Sequence, residues 1–402
     1  MQLEETTMAQ LNPDVLEQLQ QRINRRRLLE TATQLMEIPS RTGEGGPALT
    51  RLADILKSEG FPVKRVEAGH PDAPAVVSFY DSGTPSRVVE VCCHIDTPDL
   101  PFVPPRFEGN YLTGSGAAKM KGGIAAAIEA MRALRESGLL SRGEFFLTVC
   151  DLHESPNGFG PQLREMINAG LYGDAVLIPD ALRDRLPVAG RAAARWQVTL
   201  RRPGEPIHEV YRTPDEPDVI VAASELVRTF EQYAKQLANR TDPVAGPESL
   251  HVGRIESGQL PNQSPQTATI EGTRRWLATS DTAAVEAEFR SLVTNFARVR
   301  QLDAQVTFSV IRDAFQLDQQ HAFVAAFQSA HASVTGQTLP VGNKPFVDDG
   351  NNFWSLVKVP AITHGPVCGG SYTSREWVDC DDLVRLATVY ALTTIHFCTV
   401  DA

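Results

Sequence analysis

The chemistry-bearing residues of this 402-residue chain begin where an apolar run, Val88 to Cys93 (VVEVCC), delivers His94 and Asp96. On an extended chain, side chains two positions apart face the same way. The pair therefore sets a carboxylate beside an imidazole, the arrangement that orients a metal-bound histidine. The same spacing suits a capped strand end with a satisfied histidine, and His-x-Asp alone does not separate the two. A Pro-rich loop follows, and GSGAAKMKGG, which carries Lys119 and Lys121, opens a helix. Its glycines lack the GxxxxGK[ST] spacing of a phosphate loop, which argues against a nucleotide site. Two further apolar runs end in acids, EFFLTVC at Asp151 and AVLI at Asp180. Open α/β sheets gather their chemistry at the C-terminal ends of strands, so these ends define one candidate region.

The elements that must hold these residues follow from periodicity. Asn12 and Pro13 read as the cap and first position of a helix running to about Glu37. A second helix carries Leu49, Leu52, Ile55 and Leu56 on one face and stops at Gly60. Short strands are expected near Phe61 to Val66 and Ala75 to Phe79, and a helix with Ile124, Ile128, Met131 and Leu134 at core spacing follows the Gly-rich segment. Alternating strands and helices predict an α/β fold, a mainly parallel sheet with helices on both faces. From about Ala193 the pattern becomes β-α-β-β-α-β, an inserted split-βαβ (ferredoxin-like) domain. The expected domains are 1–192 with 313–402, and 193–312 between them. The return segment adds a helix around Ala322 to Val334, the loop FVDDGNNF, a strand VPAITH, the loop GPVCGGSYTSRE and a last helix from Asp381 to Phe397.

Composition narrows the class. A chain of this length exceeds what one core usually supports. Six cysteines without CxxC spacing, and no signal peptide or membrane-length apolar run, predict a reduced cytoplasmic protein. A formal charge of −11 with no basic cluster argues against nucleic acid and anionic membrane as partners.

The order HIDTP, then PF, then a Gly-rich turn into MKGG resembles the family-twenty zinc metallopeptidases, which include acetylornithine and succinyl-diaminopimelate deacylases, glutamate carboxypeptidases, aminoacylases and carnosinases. The resemblance spans nearly the whole chain and implies a dinuclear zinc centre, with the inserted domain as lid and homodimer surface. His94 and Asp96 match the His-x-Asp strand, Asp180 in DAVLIPD matches a strand-end carboxylate ligand, and Glu154 fits the metal-binding glutamate. Three positions depart from the pattern. Lys119 stands where the bridging aspartate belongs, His153 where the general-base glutamate belongs, and Tyr372 in GGSYTSREWV where the late histidine belongs. The resemblance further implies substrate contacts by His208 in PGEPIHEV, Asn262 in NQSP, and Gly369 and Gly370. Arg275 in EGTRRW corresponds to an arginine that clamps a substrate carboxylate.

A lysine at the bridging position removes an oxygen ligand and brings positive charge to the place of two dications. Ordinary dinuclear zinc binding is therefore not expected, which leaves zinc at reduced occupancy or absent. A Lys119 ammonium would neutralise buried carboxylates and stabilise an oxyanion. A carbamate on Lys119, which requires a lowered pKa, would instead restore a bridge. His153 would act as a base if a carboxylate such as Asp151 or Glu154 orients it. Three readings stay open: an amide-bond hydrolase with an altered site, a metal-independent enzyme using Lys119, His153 and Tyr372, and a non-catalytic protein that binds an amino-acid derivative.

Overall fold

The computed structural model describes residues 13–155 and 159–399. The expected cap at Asn12 lies outside them. In chain order, the first part comprises α1 (Pro13–Gln20), α2 (Arg25–Met36), α3 (Gly46–Ser58), β1 (Val63–Val66), β2 (Ala75–Asp81), β3 (Val88–His94), α4 (Gly122–Ser137), β4 (Glu144–Cys150), α5 (Pro161–Asn168) and β5 (Ala175–Ile178). The inserted part comprises β6 (Ala193–Arg201), α6 (Val219–Leu237), β7 (Ser249–Ser257), β8 (Thr267–Arg275), α7 (Thr282–Val299) and β9 (Asp303–Arg312). The chain then adds α8 (Ala322–Thr335), α9 (Gly350–Val357), β10 (Ala361–Thr363) and α10 (Cys380–Thr399).

The single first helix expected from the sequence is two helices. Asn24, in extended backbone, accepts a hydrogen bond from the Arg27 amide at 3.1 Å and so starts α2 afresh. The main sheet has the order β1-β2-β4-β3-β5-β10. Its β3–β4, β3–β5 and β5–β10 pairings are parallel, whereas β1–β2 and β2–β4 are antiparallel. β3 is buried along nearly its whole length, as its run of small and β-branched residues demands. Ile124, Ile128, Met131 and Leu134 of α4 are fully buried. Each such side chain contributes about 1.5–3 kcal/mol on burial.

Two- and three-residue strands, too short for an alternating pattern to reveal, form a second small sheet. Its order is Cys368–Gly369, Trp377–Asp379, Tyr111–Thr113, Arg106–Glu108. This sheet anchors both the loop of Tyr372 and the segment leading to Lys119, with the Gly114 amide donating to the Glu376 carbonyl at 2.9 Å.

The chain divides into two compact units. The sheet unit runs to Val188 and is completed by Leu317–Gly342 and the segment from Asp348; the inserted unit is Ala189–Gln316 with Asn343–Val347. The latter is a split-βαβ fold with sheet order β7-β8-β6-β9, antiparallel throughout. Its helices are capped by Asp218 and Asp281, and its core is built on Trp196, Phe230 and Phe289. Gly272 on β8 lets strands and core approach closely, since a Cβ there would lie 1.9 Å from the His251 carbonyl oxygen and 2.4 Å from the Trp196 ring. Among the described residues no helix is long and apolar enough to cross a membrane.

Candidate active site

The strand ends of the sheet unit bring together His94, Asp96, Lys119, His153, Glu154, Asp180 and Tyr372. β3 ends at His94, whose Nδ1 lies 3.0 Å from the Asp96 carbonyl oxygen and 3.3 Å from Asp96 Oδ1. That leaves Nε2 of a fully buried ring without a hydrogen-bond partner among the described residues. Asp96 also accepts the Glu154 amide at 2.7 Å and so fixes the turn after β4. Burial pushes the Asp96 carboxyl up, but His94, His153 and that amide outweigh it and hold the group ionised, below its ordinary range.

Lys119 enters from the Gly-rich segment. Its own amide and those of Gly116 and Ala118 converge on the Glu376 carboxylate at 2.7, 3.0 and 2.9 Å. The Lys119–Met120 peptide is cis. The Lys119 ammonium is buried and donates to Asp180 Oδ2 at 2.9 Å, while Asp180 Oδ1 accepts the Ala181 amide at 2.6 Å. Burial disfavours the charged lysine, yet Asp180, Tyr372 and Glu154 outweigh it and raise its pKa above the ordinary value. Burial likewise works against the charged Asp180, and Lys119 reverses the balance to hold that carboxyl low. The direction at Lys119 is opposite to what a carbamate requires, so the structure supports a charged ammonium.

His153 stacks on His94 with ring centroids 4.0 Å apart and planes at 4°. Its Nδ1 lies 2.7 Å from Asp349 Oδ2. Burial lowers its pKa, but Asp349 and Glu154 overcome this and push it up to about 9. At neutral pH the metal-free ring is therefore an imidazolium, which a general base cannot be. The orienting carboxylate is not Asp151, as proximity in sequence suggested. Asp151 is occupied by the Gly43 and Gly45 amides at 3.1 and 2.8 Å and by His70 Nε2 at 3.3 Å. Asp349 went unassigned in the sequence because it lies in the FVDDGNNF loop, 196 positions from His153. The only sequence signal was an acidic pair at the start of a helix on the return into the sheet.

Tyr372, at φ +63°, extends its hydroxyl to Glu154 Oε1 at 3.4 Å. Burial pushes the phenol up to about 12, and the hydroxyl is placed to donate to Glu154. Gly370 has φ +68°, and a Cβ there would meet the Arg375 carbonyl oxygen at 2.1 Å; a Cβ on Gly369 would crowd Trp377 at 2.8 Å. Both glycines serve the turn that presents Tyr372. The ligating atoms of His94, His153 and Glu154 lie within 4.8 Å of one another. Asp180 is outside that group and committed to Lys119.

Within the inserted unit, His208 Nε2 lies 3.1 Å from Asn262 Nδ2. Arg275 is half-buried, and burial together with Arg191 lowers its pKa. In the β7–β8 register Arg275 faces Ser249, and Arg191 Nη1 donates to Ser249 Oγ at 3.3 Å and to the Pro247 carbonyl oxygen at 2.6 Å. Two guanidinium groups thus approach the same strand position. Arg191 was not singled out in the sequence, since only the strand pairing brings it there.

Titratable side chains gathered at the ends of a mixed sheet, in a chain interrupted by a split-βαβ unit, define a two-unit α/β protein. The chain belongs to peptidase family M20/M25/M40, which it matches over residues 91–396. A succinyl-diaminopimelate desuccinylase of Methylobacterium sp. (strain 4-46) is 29% identical over 90% of this chain and 94% of its own length. Aminopeptidase PepT from Bacillus cereus has the same fold, with a TM-score of 0.78 and 18% identity over 93% of this chain and 99% of its own. The Bacillus subtilis YXEP protein, described as a dinuclear metal-binding peptidase, aligns with a TM-score of 0.66 and 16% identity over 92% and 97%. Where the sequence resemblance expects a carboxylate that bridges two ions stands Lys119, whose ammonium is ion-paired to Asp180 and does not fit that role.

Proposed function

We propose that this protein is a diverged amide-bond hydrolase acting on a small N-acyl-amino-acid or dipeptide-like substrate that bears a carboxylate, and that its reaction does not run on two bridged zinc ions. Its membership in a family with peptidases and desuccinylases supports the amide bond as the target. The Lys119–Asp180 pair carries the rest: a fixed, buried positive charge beside Glu154 and Tyr372 is suited to stabilise the oxyanion that develops at an amide carbonyl. The Tyr372 hydroxyl supplies a second donor. Arg191 and Arg275, neither paired with a carboxylate among the described residues, favour an anionic group on the substrate. His208 and Asn262 are assigned to the substrate's polar groups by their family resemblance.

The protein is further proposed to be a homodimer formed through the inserted unit. β7 is an edge strand there, and Ile255 on it is 52% exposed. All six cysteines are unpaired thiols, which supports a reducing, cytoplasmic compartment.

The test is a hydrolysis panel of N-succinyl and N-acetyl amino acids and dipeptides, each with a free or an amidated carboxylate, read by release of amine. Turnover of free carboxylates is expected, with Arg275→Gln lowering kcat/KM for them at least about tenfold and leaving the amidated forms unchanged. Ligand-induced stabilisation without any turnover would make the chain a binding protein and overturn the reading.

A further inference from the structure

The failure of the dinuclear pattern leaves a different donor set in place. His94 and His153 each have Nδ1 held by an aspartate, Asp96 in one case and Asp349 in the other. This is how histidine ligands are usually oriented toward a metal through Nε2. His94 Nε2 is buried and has no hydrogen-bond partner among the described residues. The third donor, Glu154, is fixed through its backbone amide by the same Asp96 that orients His94. The ligating atoms of these three residues already lie within 4.8 Å of one another.

The surroundings of these donors are rich in carboxylate: Asp96, Glu154, Asp180 and Asp349 are all buried, and Asp180 is ion-paired to Lys119 at 2.9 Å. Lys119 occupies Asp180 and removes the bridging ligand, so the cluster has room for one added ion and not for two.

We propose that His94, His153 and Glu154 form a one-ion site for a divalent metal of the zinc class. His153 is then a ligand in the position where the family pattern has a base. Two histidines and one carboxylate, with open positions for water or substrate, are a donor set that zinc and related first-row ions accept. The site is independent of the substrate assignment: its test reads metal binding, so its failure would leave the hydrolase panel undecided, and the reverse.

The experiment titrates chelator-stripped protein with Zn2+ by calorimetry and counts retained ions by mass spectrometry. One equivalent per chain is expected. His153→Gln should abolish that equivalent, Asp349→Asn should weaken it about 10–100-fold, and His251→Ala, a change on the exposed surface of the inserted unit, should leave it intact. Lys119→Asp should raise the capacity to two ions. Where a variant does not fold, Co2+ added to the wild-type protein decides: a four- or five-coordinate visible spectrum supports the site, and the weak spectrum of six-coordinate aquo cobalt overturns it. No retained ion, two ions in the wild type, or binding that survives His153→Gln also overturns it.

Discussion

Between α2 and α4, Glu129 is buried with both carboxylate oxygens engaged. It accepts the Asn24 amide at 2.7 Å, Arg27 at 2.7 and 3.0 Å and Arg132 at 3.1 Å. Arg132, itself buried, donates further to Thr31 and to both oxygens of Glu59. At the strand ends the pattern is different. Among the described residues His94 Nε2 has no hydrogen-bond partner, and Asp96 Oδ1 has only the 3.3 Å approach of His94. The first cluster is closed, and its charge and hydrogen-bonding capacity are used in holding two helices together. The second is open at the strand ends, where open α/β sheets gather their chemistry. An ionic cluster that ends in unmatched atoms is a better sign of chemistry than burial or charge alone.

The comparison breaks first at Arg132. Arg132→Met leaves Glu129 and Glu59 short of a buried partner and should cost about 3–5 kcal/mol in urea denaturation. A loss below about 1 kcal/mol would mean the closed network is not structural. The open cluster should respond less. Lys119→Met leaves Asp180 unpaired and should cost about 3 kcal/mol in metal-free protein at pH 7. The sign of its pH dependence follows from the two partners. Asp180 is held low by Lys119, so its contribution is present above the ordinary aspartate pKa and is lost as pH falls through the folded one. Lys119 is held high, so its contribution is full below the ordinary lysine pKa. The difference between wild type and variant should therefore be flat from about pH 5 to 9 and shrink in stronger acid. A difference that vanished near pH 8 would instead indicate a neutral lysine.

Much of this contrast was legible in the sequence because it depends on residues at strand ends. An apolar run that stops at an acid or histidine gives both the strand and the side chain it presents. His94 and Asp180 were located that way, with Lys119, His153, Glu154 and Tyr372 placed by resemblance. What the sequence hid was partnership. Asp349 reaches His153 from a distant loop, and Asp151, the nearer acid, is consumed by the amides of Gly43 and Gly45. The two-residue strands that anchor Tyr372 leave no periodic trace, and the break between α1 and α2 depends on a single asparagine cap.

The inserted unit repeats the comparison within two adjacent residues. Arg274 and Arg275 follow one another on β8 and so point to opposite faces. Arg274 is fully buried against Glu248, at 2.5 Å, in the unit's core. Arg275 faces the other way, near Arg191, and neither has a carboxylate partner among the described residues. If the open arrangement exists for a ligand anion, removing one of the two positive charges should not weaken the fold. Arg191→Gln is expected to change stability by no more than about 0.5 kcal/mol in either direction, because it removes like-charge repulsion along with two hydrogen bonds. It should nevertheless raise KM for free-carboxylate substrates with kcat little changed, the pattern of an interaction made equally in ground and transition states. A marked loss of stability with KM unaltered would place Arg191 with Arg274 among the structural arginines and leave Arg275 to bind the carboxylate alone.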